Sequence, residues 1–272
     1  MHDPTTKEYV YAKAHGMWAS SFIVGKKEEI KLAKSVQDLY RLVFEEEPPL
    51  ITEALLTDLI EEKLTVRTIK HYTKLLSLYD SSYPLLNLLL YEYEVLNLKM
   101  AMSHLREKES DASFVIDIYS YSPLQWKFWP SLKDITKDSP FSFLKDNVSV
   151  DKQVEKEMEL DDCYCKNLWQ AFLSLKQEDY ASCSELVIKE MLLKNIVWLF
   201  RLRKYYDYRG ERLTKMLLGN WDEKSKKLFI TPLIFALDKS ITDRDVWKDW
   251  KYEWLINPMQ EDEAWTVDPR SV

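Results

Sequence analysis

The sequence is poor in glycine, since only Gly16, Gly25, Gly210 and Gly219 occur in its 272 residues. Tight β-hairpins and phosphate-binding loops rely on glycine, because their backbone adopts conformations that other residues avoid. Neither the GxGxxG nor the GxxxxGK[ST] pattern is present. The shortage therefore favours long helices and argues against nucleotide chemistry on this chain.

Residues that commonly bind metals or attack substrates are also scarce. They comprise three cysteines and four histidines, namely Cys163, Cys165, Cys183, His2, His15, His71 and His104. One residue separates the first two cysteines, whereas redox and zinc motifs have two. No HxxxH or GxSxG pattern occurs. We therefore expect no catalytic residue, no metal site and no cofactor.

Two adjacent carboxylates, Asp161 and Asp162, resemble the start of a DDxxD magnesium motif. The third acidic position of that motif is occupied by Cys165. Helical enzymes that bind magnesium and diphosphate also need acids on a second, facing helix, and no second cluster is evident. The sequence therefore disfavours a magnesium site here.

Long apolar runs and an excess of basic residues are both lacking. No window approaches 18 consecutive apolar residues, so we expect no membrane span, and the first residues lack the apolar core of a signal peptide. The net charge is −7 and the sequence pI is about 5.3. An acidic chain is poorly suited to bind phosphate backbones, so we expect no nucleic-acid partner.

What the sequence does contain is material for a large helical core, with 46% hydrophobic and 13% aromatic residues. Apolar periodicity predicts helices over Glu8–Val24, Glu28–Phe44, Thr52–Lys63, Thr65–Tyr79, Leu85–Arg106, Asp151–Lys176, Glu178–Tyr206, Glu211–Leu218, Thr231–Leu237 and Asp243–Ile256. Residues Phe114–Tyr121 favour an extended connector. The prolines that follow, from Pro123 to Pro140, predict short helices or turns there.

Two of these helices share a pattern. Leu85–Arg106 and Leu186–Lys204 align without a gap when one is shifted by 98 positions. Their mostly apolar runs contain the polar residues Glu92, Glu94, Asn97, Glu190 and Asn195. Buried polar groups need hydrogen-bond partners, so we interpret all five as structural residues of one unit used twice. Two unrelated core helices, or buried carboxylates acting as general acids or bases, are the alternatives.

Three tryptophans near the end follow helical spacing, namely Trp247, Trp250 and Trp254. On a helix they would form one stripe. Such a stripe either closes the core of the last helices or forms an aromatic contact surface for a partner protein.

Three stretches together resemble the C subunit of the V-type and A-type rotary ATPases, which corresponds to the d subunit of eukaryotic V-ATPases. The first is the opening helix from Tyr9, with its Tyr-x-Tyr-Ala step and a small, methionine-containing run. The second is Glu94-x-x-Asn97-Leu98-Lys99, which is similar to the acid-x-x-Asn-Leu-Lys helix of that family. The third is Glu190–Arg203, which is similar to the family's Glu-x-x-x-x-Asn-Ile…Leu-Arg helix.

The resemblance implies an all-α, funnel-shaped, three-lobed fold with pseudo-threefold internal repeats. We expect residues 1–272 to form one domain with lobes at 48–150 and 151–240, and a remaining lobe from 1–47 and 241–272. That last lobe is expected to be abbreviated, because Pro258 prevents the normal continuation of the final helix.

The resemblance also implies a non-catalytic role. Members of the family couple the central stalk, made of the D and F subunits, to the membrane rotor ring on the cytoplasmic face, for proton or other ion transport linked to ATP synthesis or hydrolysis. Two alternatives are a helical-repeat adaptor with an unrelated partner and an all-helical enzyme whose site is assembled from buried acids.

Overall fold

The computed structural model describes residues 4–79, 84–108, 111–145 and 152–255. All regular secondary structure in these ranges is helical, which confirms the all-α class. The α-helices are α1 (Pro4–Ala19), α2 (Phe22–Gly25), α3 (Lys27–Leu32), α4 (Val36–Phe44), α5 (Glu53–Leu76), α6 (Pro84–Glu107), α7 (Leu132–Thr136), α8 (Gln153–Leu173), α9 (Gln177–Tyr206), α10 (Gly210–Lys215), α11 (Glu223–Phe229) and α12 (Ile234–Leu237). Short 3₁₀ turns occur at Tyr119–Tyr121, Trp126–Phe128, Thr231–Leu233, Asp245–Trp247 and Glu253–Leu255.

The expected helix over Glu28–Phe44 is wrong, because the chain forms α3 and α4 with a break between them. Ser35 supplies the reason. Its side chain accepts a hydrogen bond from the backbone N–H of Asp38 at 3.1 Å and so caps the start of α4. A serine that satisfies a free N–H in this way favours a helix start over a helix interior.

The opposite correction applies to Thr52–Lys63 and Thr65–Tyr79, which are one continuous helix, α5. Thr52 caps it as expected, since its hydroxyl accepts a hydrogen bond from the N–H of Leu55 at 3.4 Å. No glycine or proline lies between Glu53 and Leu76. Without a residue that disrupts the backbone, the second threonine-led stretch simply continues the first.

The two long helices with the shared pattern lie close to their expected bounds, as α6 and α9. Pro84 occupies the first turn of α6, where its missing N–H leaves no unmet hydrogen bond. Helix α9 ends at Tyr206, and the next residue, Asp207, adopts a left-handed conformation with φ of 50°. The N–H of Tyr208 then donates to the carbonyl of Leu202 at 3.1 Å, a bond typical of a tight helix end.

The final helix expected over Asp243–Ile256 is wrong for the described part of that range. The chain instead forms two 3₁₀ turns joined by a turn, so the tryptophans do not lie on one helical stripe. Helix α11 is an addition that the sequence pattern did not indicate. It is capped by Asp222, whose side chain accepts from the N–H of Ser225 at 2.8 Å. Ile256 and Pro258 lie outside the described residues.

The chain divides into two compact units, and the division falls within α6. The first unit comprises Met1–Tyr93 and Val115–Ser122. Helix α4 packs on α5 there through Tyr40, Leu56 and Ile60. A second apolar cluster of this unit contains Ile69, Leu76, Leu90 and Ile118. The stretch expected to be an extended connector is loop followed by a 3₁₀ turn, without a β-strand in its described residues.

The second unit comprises Glu94–Phe114 and Pro123–Val272. Helix α9 is its central element and contacts α8, α10 and α11. Its core is formed by buried residues from several helices, including Met158, Leu192, Ile196, Leu199, Phe200, Leu213, Leu233, Trp247 and Trp250. Across the described ranges, no helix combines the length and the apolar character needed to cross a bilayer.

Candidate functional site

Three clusters of buried or half-buried polar side chains lie in the second unit, and each contains residues of the stretches singled out in the sequence. The first is the Glu94 cluster, made of Glu94, Asn97 and Trp126. One carboxylate oxygen, Glu94 Oε2, accepts from Asn97 Nδ2 at 3.0 Å and from Trp126 Nε1 at 2.9 Å. Glu94 and Asn97 are buried, so these bonds offset the cost of removing both from water. They also attach the 3₁₀ turn at Trp126 to α6.

The second is the Lys99 cluster, made of Lys99, Asp161 and Trp198. Lys99 Nζ lies 2.6 Å from Asp161 Oδ1, and Trp198 Nε1 donates to Asp161 Oδ2 at 3.0 Å. The Lys99 ammonium also lies 5.6 Å from the centroid of the Trp198 ring, within the range of a cation–π interaction. One carboxylate therefore joins α6, α8 and α9.

We predict that Lys99→Met lowers the free energy of unfolding by about 1–3 kcal/mol, between the values typical of exposed and buried ion pairs. The side chains of Lys99 and Asp161 are only 21% and 16% exposed, so water replaces the lost ammonium poorly. Equilibrium urea unfolding measures the change. Lys189→Met is the matched control, because Lys189 pairs with Glu185 at 2.6 Å on the exposed surface of α9. Similar losses in the two variants would show that the Lys99 pair is no stronger than a surface pair.

The third is the Asn195 cluster, in which a side chain binds the backbone of two other segments. Asn195 Nδ2 donates to the carbonyls of Leu218 and Phe229, at 2.9 and 3.0 Å. Its Oδ1 accepts from the N–H of Leu218 at 2.7 Å. Asn195 is fully buried. Its amide therefore fixes the loop after α10 and the end of α11 against the centre of α9.

Arg203 lies about two turns after Asn195 on α9, and it also binds backbone carbonyls of another segment. Its guanidinium donates to the carbonyl of Ala236 at 2.6 Å and also to that of Lys239. Burial of the guanidinium lowers the pKa of Arg203 to about 10, so the group stays charged at neutral pH. Arg203 thereby holds the chain that follows α12 onto α9.

The two acids that resemble a magnesium motif have separate partners. Asp161 belongs to the Lys99 cluster, whereas Asp162 Oδ1 accepts from Trp221 Nε1 at 2.7 Å. Burial raises the pKa of the Asp162 carboxyl above its ordinary value, and the hydrogen bond from Trp221 opposes that rise. In the described part of the chain, no group of three or more histidine, cysteine or acidic side chains is placed to hold a metal ion.

The five polar residues chosen from the sequence are not equivalent. Glu94, Asn97 and Asn195 are buried, and Glu92 is half-buried. Glu190 is exposed, and its carboxylate lies 3.8 Å from Lys194 Nζ, so its expected burial is wrong. Helix geometry explains the difference, because residues five apart point about 140° from each other at 3.6 residues per turn. The burial of Asn195 therefore turns Glu190 away from the core.

The three tryptophans near the end of the sequence also differ in burial. Trp247 and Trp250 are buried in the core of the second unit, and Trp247 Nε1 donates to the carbonyl of Ser240 at 2.8 Å. They cannot provide the exposed aromatic surface considered above. Trp254 is 73% exposed and is the member of the three that remains available for contact with a partner.

Sequence reasoning missed Lys99, Asp161, Trp198 and Arg203 as site residues. Lys99 and Arg203 did stand inside the quoted stretches, so a signal existed. Lysine and arginine in an apolar run predict a buried or half-buried charge that needs a partner. The partners could not be identified, because Asp161 is 62 residues from Lys99 and Ala236 is 33 residues from Arg203.

Comparison with known proteins gives two matches. The family described as "ATP synthase (C/AC39) subunit" matches residues 24–226. The chain is also similar to an uncharacterized protein of Treponema pallidum (strain Nichols), with 28% identity over 265 residues that cover 96% of this chain and 76% of that protein. No solved structure matches significantly.

Proposed function

Since the chain belongs to the ATP synthase (C/AC39) subunit family, we propose that it is a non-catalytic central-stalk subunit of a V-type or A-type rotary ATPase. In this role it connects the central stalk to the membrane rotor ring and passes torque between them, in support of ion transport. The observation that carries the proposal is the family match over residues 24–226, a range that includes the Glu94 and Lys99 clusters and Asn195 itself.

The polar clusters support a mechanical role. A part that transmits torque has to resist deformation, and close-packed helices provide that resistance. The Lys99 cluster adds direct bonds among α6, α8 and α9, and the Asn195 cluster adds bonds from α9 to two further segments. These directional bonds oppose sliding of the helices in a way that apolar contacts alone do not.

The partners that we propose are the rotor-ring subunits on one side and the D and F subunits of the stalk on the other. The chain would then act on the cytoplasmic face of the membrane as a peripheral part of the complex. The three-lobed arrangement, with lobes at 48–150, 151–240, and 1–47 with 241–272, stays part of this proposal.

The test is an affinity purification of the tagged protein from detergent-solubilised membranes of its host, with co-purified proteins identified by mass spectrometry. We expect both stalk and ring subunits in stoichiometric amounts. If a host that expresses both yields neither, the coupling role is wrong. A different soluble complex recovered in their place would favour an adaptor role.

We predict that Asn97→Leu destabilises the protein without removing a partner contact. The change eliminates the bond to Glu94 and leaves a buried carboxylate with one donor fewer, at a cost of about 2 kcal/mol. Thermal unfolding measures the loss of stability. Co-purification of stalk and ring, performed well below the midpoint of unfolding, is expected to be unchanged.

Trp254→Ala is the matched comparison, because Trp254 is exposed. We expect an unchanged unfolding midpoint, and weaker co-purification only if this tryptophan contacts a partner. Loss of stalk binding in Asn97→Leu at full stability would contradict the structural role of Asn97.

A further inference from the structure

A cleft of about 490 Å³ runs along one face of α8 in the second unit. Residues spaced three or one apart on that helix line it, namely Glu155, Met158, Glu159, Asp162, Cys163 and Lys166. Phe143 and the segment 215–217 complete its walls. The volume lies in the range of small-molecule sites. No residue of the three polar clusters described above lines this cleft.

Asp162 differs from the other two acids of the cleft in the charge of its partners. Glu155 lies 3.2 Å from Arg212, and Glu159 lies 2.5 Å from Lys156. Each of these two glutamates therefore has a cationic partner that already balances its charge. Asp162 has no such pair within the described ranges.

The groups that do contact the Asp162 carboxylate are neutral donors. It accepts a hydrogen bond from the Trp221 indole, and the backbone N–H of Gly219 adds a smaller effect that also lowers its pKa. The charge of Lys166 on the same helix lowers the pKa of Asp162 from a distance, without forming an ion pair among the described residues. The cleft therefore contains a half-buried carboxylate that lacks a counter-ion in direct contact.

The remaining walls of the cleft determine which chemical group could bind beside a cation at Asp162. Met158 and Leu217 are buried, and Met216 and Phe143 are half-buried, which gives an apolar lining beside the carboxylate. Methionine side chains adapt readily to flexible aliphatic groups. Of the three carboxylates that line the cleft, two are already paired with a cation, so among the described residues Asp162 is the acid that a bound cation would pair with.

We propose that this cleft binds an alkylammonium group, with Asp162 as its counter-ion and the apolar walls around its aliphatic chain. The group could belong to a free aliphatic amine or to a lysine side chain of another protein. The same contacts serve both, because each presents a primary ammonium on a chain of methylene groups. The proposal does not depend on the rotary-ATPase function.

The experiment is a titration of the ¹⁵N-labelled full chain with n-hexylamine, followed by NMR through the indole N–H resonance of Trp221. That proton donates to Asp162, so it reports on the proposed site directly. Trp221→Phe assigns the resonance by removing it. We expect saturable shifts with n-hexylamine and none with n-hexanol, which has the same chain without the charge.

Asp162→Asn is expected to weaken n-hexylamine binding by about tenfold or more, since the variant loses a charged hydrogen-bond partner. The asparagine oxygen can still accept from Trp221, so the variant should fold, and its unfolding midpoint checks this. Glu159→Gln is the matched control within the cleft and should change affinity less than about twofold, because Glu159 already pairs with Lys156.

Nα-acetyl-lysine methylamide distinguishes the two sources of the ammonium group. Binding at least as tight as that of n-hexylamine indicates a lysine side chain, and weaker binding indicates a free amine. Failure of both ligands to shift the Trp221 resonance overturns the proposal. Equal affinity of the wild-type and Asp162→Asn proteins for n-hexylamine overturns it as well.

Discussion

Replacing Gly219 with alanine is expected to lower the free energy of unfolding by about 2–6 kcal/mol, from backbone strain and overpacking combined. Gly219 has φ of +103°, a conformation that residues with a Cβ rarely adopt. An added Cβ would lie 2.9 Å from Phe229 Cβ and 3.3 Å from the carbonyl oxygen of Ser225. Phe229 and Ser225 are both fully buried, so neither can move aside without disturbing the core. Urea unfolding measures the loss.

Gly210→Ala separates the two causes. Gly210 also has positive φ, +51°, but no atom lies within 4 Å of where its Cβ would be. We expect this variant to lose only the strain component, about 1 kcal/mol. If Gly219→Ala were no more destabilising than Gly210→Ala, the close contact with Phe229 would have no energetic importance.

The fold class could be predicted from the sequence because it depends on local properties. Glycine scarcity and helical periodicity both reflect the backbone preferences of single residues and their near neighbours. Helix boundaries were harder to predict, because they depend on whether a side chain caps a new helix or the existing helix continues. The capping bond of Ser35 divides one expected helix, and the absence of any helix-breaking residue merges two others into α5.

The candidate site was only partly predictable. The sequence indicated which polar residues stand in apolar runs, and it also contained enough information to exclude Glu190, since its spacing from Asn195 places it on another face. The hydrogen-bond partners of these residues could not be predicted from the sequence. Asn97 binds a side chain on its own helix, whereas Asn195 binds backbone groups at Leu218 and Phe229. The same register therefore leads to different contacts, and the internal repeat stays a prediction.

The second large effect is expected for Asn195→Leu, which should lower the free energy of unfolding by about 3–5 kcal/mol from three lost hydrogen bonds in a buried place. Leucine has the same branched arrangement of side-chain heavy atoms, so the change removes polar contacts without leaving a cavity. It leaves the N–H and carbonyl of Leu218 and the carbonyl of Phe229 without the amide that satisfied them. Water cannot replace that amide, because Asn195 is fully buried. Urea unfolding, followed by tryptophan fluorescence, measures the change.

Asn220→Leu provides the matched control. The Asn220 amide also donates to two backbone carbonyls, those of Thr214 at 2.9 Å and Leu217 at 3.0 Å, but its side chain is exposed. Water can take over exposed bonds of this kind, so we expect a loss of about 1 kcal/mol or less. Both amides donate to two backbone carbonyls, and Asn195 also accepts from the N–H of Leu218, so the difference between the two variants measures burial together with that one additional bond. Equal losses would mean that the loop after α10 is not fixed by Asn195, and that the centre of α9 contributes packing alone to the rigidity of the second unit.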